Sequence, residues 1–171
     1  MSDPQAAKQR AIALLETEWS SLDTWLRSLD ERQLDRPVFG EGPGWRARDM
    51  ITHMAWWQEL AARVAEKVAR EGGAPDERGS RPFLGIETPL DELNTQTYEL
   101  WRERPLAERF ERWAATHRRM IDAFGTLTPD QFLQDEGGAE GLKRYFAMPA
   151  LVHLRMHREN IEAALKETSP T

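Results

Sequence analysis

The chain has 171 residues, 40% of them hydrophobic and 30% charged, with a net charge of −6 and no cysteine. Such a balance predicts one soluble globular domain over 1–171, and the negative charge argues against nucleic acid or an anionic membrane as partner. Without cysteine there is no disulfide framework and no thiolate nucleophile or ligand, so any metal site must use His, Asp or Glu.

The periodicity is helical almost throughout. Residues 6–30 space Ile12, Leu15, Trp19, Leu22, Trp25 (or Leu26) and Leu29 at three- and four-residue steps, which predicts an amphipathic helix. "RPVFGEGPGW" then breaks the chain with two Pro and three Gly. It lacks the Lys-Ser/Thr that would make "GEGPG" a phosphate cradle. A second helix is predicted from about 46 to 70, with Met50, His53, Trp57, Leu60 and Val64 on one side, ending at Gly72-Gly73. Residues 72–87 read as a loop long enough to cover or line something. A third helix starts near Thr88 or Pro89, carries Leu93, Tyr98 and Trp101, and is split or restarted at Pro105. Its second part carries Leu106, Phe110, Trp113, His117, Met120 and Phe124. "LTPDQF" and "DEGGAEG" read as turns, and a last helix runs from about 148 to 166. No segment alternates as a strand would, so the fold class is all-α, an up-down four-helix bundle. No apolar run reaches the ~20 residues of a membrane helix, and the start lacks a signal-peptide core, so a cytoplasmic protein is expected.

The last helix places His153 and His157 four apart, side by side on one face with Ala150, Ile161 and Ala164. Spacing alone fits solvated or partner-bound histidines as well as ligands. On an apolar face, however, imidazoles need partners, and one divalent ion serves both. His53 sits on the apolar stripe of the second helix, so a bundle could bring three imidazoles to one point and leave coordination positions open, as catalytic sites do.

Two segments carry a resemblance. "GWRARDMITHMAWWQELAARV" resembles the second-helix signature of the DinB/YfiT-like superfamily, and "LVHLRMHRENI" resembles its last helix. His53, His153 and His157 fall on that superfamily's three metal-ligand positions. "LDELNTQTYELWRERPLAERFERWAATHRRMIDAF" is similar to the branch containing the colibactin self-resistance hydrolase. Arg46 departs from the pattern, because relatives cap the second helix with Ser or Thr there; Gly44 and its neighbours are the alternative cap. The intact histidine set also departs from the self-resistance branch, which does not rely on it.

The resemblance implies a divalent ion (Zn, Ni, Fe or Mn), a small-molecule substrate, use of a low-molecular-weight thiol in some relatives, and pairing into homodimers. The function expected is thiol S-transfer to, or hydrolysis of, a small electrophile. The alternatives are a metal-independent self-resistance-type hydrolase and a small-molecule binding or sequestering protein. Trp45, Trp57 and Tyr98 are candidate pocket walls. Asn94 shares a face with Tyr98, while Asn160 and Glu162 are candidate orienters of the ligand rings, with a backbone or water partner preferred over Glu162. His117 matches no ligand position and reads as a core histidine bonded to a carbonyl. "RERPLAERFER" reads as a solvated face. Histidine ligation predicts metal affinity that falls as pH drops through about 6.

Overall fold

The computed structural model describes residues 3–38, 44–76, 78–134 and 141–166. Most of "GEGPG" and of "DEGGAEG", both read as turns, lies outside these residues.

Helix α1 spans Pro4–Ser28, starting and ending two residues before the predicted 6–30: Asp3 accepts the Gln5 N–H and Pro4 supplies a ready-made helical φ. Its stripe of Ala11, Leu15, Leu22 and Leu26 is buried, so Leu26, not Trp25, continues the core face. A one-turn α2, Glu31–Leu34, follows with an Asp30/Gln33 capping box. Helix α3, Ala47–Glu71, is the central rod, and it ends at Gly72 with φ at 74°, a conformation a side chain would strain. The predicted 72–87 loop contains one helical turn, α4, Ser80–Phe83.

The predicted split of the third helix is present, with α5, Leu90–Trp101, and α6, Leu106–Thr126, flanking Pro105. "LTPDQF" is not merely a turn. Thr128 and Gln131 form a capping box that winds α7, Pro129–Phe132, and Phe132 is driven into the core. The last rod is composite: α8, Arg144–Ala147, runs into a π-helical turn, Met148–Val152, and then α9, His153–Lys166. No strand occurs among the described residues, and two isolated bridges join Pro37 to Arg46 and Leu133 to Leu142. No helix is long and apolar enough to cross a membrane.

α3 packs on α5, α6, α9 and the π turn, while α1 closes the bundle against α6, α7 and α9. Two apolar clusters result. One gathers Leu15, Val64, Val68, Phe124, Phe132 and Phe146; the other Leu22, Leu26, Met50, Met54, Trp113 and Leu154. Each fully buried Leu, Phe or Met contributes about 1.5–3 kcal/mol, which sets the relative placement of the rods. Polar groups tie the ends. Lys8 Nζ donates to the carbonyls of Gly125 (2.9 Å) and Leu127, closing the C-terminus of α6.

The start of α3 is held differently from either cap considered above. Arg46 occupies the N-cap position, and its backbone N–H donates to Asp49 Oδ2 at 2.9 Å. Asp49 Oδ1 accepts from Arg109 Nη1 at 2.7 Å, with side-chain exposures of 7% and 1%. "RERPLAERFER" is therefore not wholly solvated. Arg109 is interior, and it also donates to the Arg104 and Arg48 carbonyls.

Candidate metal centre

His53 projects from α3 one turn beyond the anchored Asp49, while His153 opens α9 and His157 follows one turn later. All three are buried, at 4%, 6% and 0% exposure. Along both rods they interrupt apolar runs: Met50 and Met54 of one cluster precede Ala61 of the other on α3, and Leu151 and Leu154 belong to different clusters on either side of His153. His53 and His157 thus form a polar layer set within the second cluster, and His153 borders the first.

Convergence is direct. His53 Nε2 and His153 Nε2 are 3.2 Å apart. Ring centroids are separated by 5.3 Å for His53–His153, 4.8 Å for His53–His157 and 4.6 Å for His153–His157. One ring nitrogen from each lies within 4.8 Å of the others. Two nitrogens bound tetrahedrally to an ion at about 2.0–2.1 Å stand about 3.3 Å apart, so the first pair already has that spacing and closing the third requires adjustments of about an ångström. Among the described residues no carboxylate joins the group.

The donor set suits a divalent ion chemically as well. Burial, followed by the neighbouring His157 and His153, pulls the His53 pKa down to about 2, so its ring is the neutral form a metal requires. His53 Nδ1 is also buried without a hydrogen-bond partner among the described residues. Packing such groups together is unfavourable unless something uses their lone pairs. One expectation changes. Proton competition near pH 6 assumes an ordinary imidazole, and burial moves the share of His53 far below that.

Two of the three candidate wall residues touch the cluster. Trp45 meets His53 edge-on at 5.2 Å, and Trp57 packs on His153 at 4.4 Å. Tyr98 stacks on Trp45 at 5.7 Å and forms an outer layer behind that indole. Asn94 is half-buried. Glu162 is turned away, pairing with Arg158 at 2.9 Å. His117 stands apart from the cluster: its ring stacks on Trp19 at 4.2 Å with an interplanar angle of 7°. It is not bonded to a carbonyl through Nδ1, which is buried without a partner among the described residues. Burial, the largest influence, lowers its pKa to about 4.

Sequence reasoning missed the π turn, which inserts a wide turn just before His153 and sets the angle at which α9 presents both rings. Pro149 within the segment was the available signal, since a ring there disturbs regular α hydrogen bonding. It also missed Gln58, fully buried with neither end of its amide bonded among the described residues.

An all-α bundle of this order, with three imidazoles converging from its second and last long rods, is of the DinB/YfiT-like helical class. Residues 15–165 match the family described as the mycothiol maleylpyruvate isomerase N-terminal domain, and the chain belongs to that family. No curated protein and no solved structure matches it.

Proposed function

We propose that the protein is a metal-dependent enzyme that joins a low-molecular-weight thiol to a small electrophile or hydrolyses such a molecule, with His53, His153 and His157 as the ligands of its divalent ion. The observation that carries this is the buried convergence of three imidazoles on one point, with no fourth protein ligand among the described residues. Three ligands leave room for a reactant, as catalytic sites do and structural ones do not. Membership of a family named for a mycothiol-dependent isomerase favours a thiol as co-reactant. Zn, Ni, Fe and Mn all accept imidazole to differing degrees.

Bound there, a divalent ion would supply a positive centre that favours the conjugate base of a thiol or of water. The chain's own residues prepare the place. His53 stays neutral through burial, the Asp49–Arg109 pair holds its helix against α6, and α9 carries the other two rings on one face. Trp45 and Trp57 flank the rings and exclude water from their edges, which strengthens every charge interaction inside. Zero cysteines and the need for a reduced thiol fit a cytoplasmic enzyme. A homodimer, implied by the superfamily resemblance, would sediment at twice the 19.7 kDa of the chain.

Elemental analysis of protein purified without chelator, with thiol conjugation to a reactive electrophile as the assay, tests the proposal. Near-stoichiometric metal, lost in His153→Ala and His157→Ala together with activity, is the expected result. Turnover that survives complete metal removal would instead favour the self-resistance-type hydrolase. Saturable ligand binding without turnover under either condition would favour a sequestering protein.

A further inference from the structure

A cavity of about 400 Å³ opens beside the histidine layer, and its described lining is rich in cationic and donor groups. Trp57 forms part of its wall while packing on His153, and Pro149 of the π turn forms another part, so one indole separates the cavity from the cluster. Arg78, Arg81 and Arg144 also line it, together with Tyr145.

The three guanidinium groups are not equivalent. Arg78 is neutralised by Asp76, at 2.6 Å. Arg81 uses Nη1 to donate to the Thr88 carbonyl at 2.7 Å, which fixes its stem and leaves its charge without a carboxylate partner among the described residues. Arg144 makes neither a hydrogen bond nor an ion pair with any described residue. Two positive charges without a carboxylate partner among the described residues thus line one concavity in a chain of net charge −6. Behind the cavity wall two lining residues carry polar groups, Trp57 Nε1–H and the Tyr145 hydroxyl, that are buried and unpartnered among the described residues. Burial raises the Tyr145 pKa to about 12, so its hydroxyl keeps its proton. Asp76, which also lines the cavity, is spent on Arg78, so the guanidinium groups of Arg81 and Arg144 leave a surplus of positive charge that matches a planar or tetrahedral oxyanion.

We propose that this cavity binds the oxyanionic end, a carboxylate or a phosphate, of the small molecule that reacts at the histidine layer, with Arg144 and Arg81 as its charge partners. Calling that molecule the reactant rests on the function proposed above; binding of the oxyanion itself requires no metal. Arg144 sits on the short helix leading into the π turn, and Arg81 on the one-turn helix of the 72–87 segment, so the anion would be held between two separate elements.

Calorimetric titration of the whole chain, metal-free and metal-loaded, with inorganic phosphate and with succinate separates the two oxyanion sources. Saturable binding of at least one probe to the metal-free protein is expected, weakened at least tenfold in Arg144→Gln and further in Arg81→Gln/Arg144→Gln. It should be unchanged in Arg32→Gln, which removes the same charge from an exposed position elsewhere. Preference for one probe identifies which oxyanion the reactant carries. Equal affinity in wild type and both variants, binding that appears only with metal, or no binding at all would overturn the proposal. Oxyanion binding by a wild-type chain that takes up no divalent ion when metal is supplied would sink the proposed function and leave the cavity assignment standing.

Discussion

Removing the Asp49 carboxylate tests how the histidine-bearing helix is held. Asp49→Ala strips Arg109, 1% exposed, of its only carboxylate among the described residues and removes the acceptor for the Arg46 N–H at the start of α3. Stranding a buried charge costs about 3–5 kcal/mol, and losing a helix N-terminal acceptor about 1 kcal/mol. The sum, about 4–6 kcal/mol, is comparable with the whole stability of many domains, about 5–15 kcal/mol. Asp49→Asn keeps an acceptor oxygen, so it should lose only the charge-related part. The double variant Asp49→Leu/Arg109→Met removes both charges and should recover much of the loss, because no ion is then left uncompensated. Urea unfolding followed by the fluorescence of the seven tryptophans reads all of these. A loss below about 2 kcal/mol in Asp49→Ala, or a double variant as unstable as the sum of its singles, would refute the reasoning.

Two further predictions are independent of that pair. His117 is held near a pKa of about 4 against an ordinary 6.5, so the unfolded chain takes up its proton first as pH falls. Its effect on stability is absent above about pH 6.5 and grows as a penalty down to about pH 4. Allowing for partial solvation of the ring, the penalty reaches about 2 kcal/mol. His117→Gln should flatten the slope of unfolding free energy in that window, and an unchanged slope would count against burial as the cause. Deleting Val152, an exposed residue of the π turn, should convert the segment to regular helix and rotate α9 by about 100° relative to α8. Metal affinity should fall sharply while far-ultraviolet circular dichroism stays helical, and full metal binding in the deletion would show that the turn does not set the histidine geometry.

How much could be read beforehand differs between elements for identifiable reasons. The long helices were legible because their stripes, caps and Gly or Pro stops are local: Leu15, Leu22 and Leu26 repeat with the helix period, and Pro105 interrupts the third rod wherever it is packed. The composition likewise ruled out cysteine chemistry, and the apolar setting of His53, His153 and His157 was visible as a pattern on two helices. Arg109 read as solvated because its neighbours in sequence are charged. Its burial follows only from Asp49, 60 residues away, reaching it across the α3–α6 contact.

The amino-acid order alone determined that this chain makes amphipathic rods and sets three imidazoles on their apolar faces, since both depend on spacing within a few turns. Tertiary packing decided that those rings meet within 4.8 Å, that His117 stacks on Trp19 instead of joining them, and that two arginines from separate segments share one cavity. Such outcomes depend on the relative rotation of rods, and that rotation is set by how the two apolar clusters and the π turn fill space together, a property no single stretch of sequence contains.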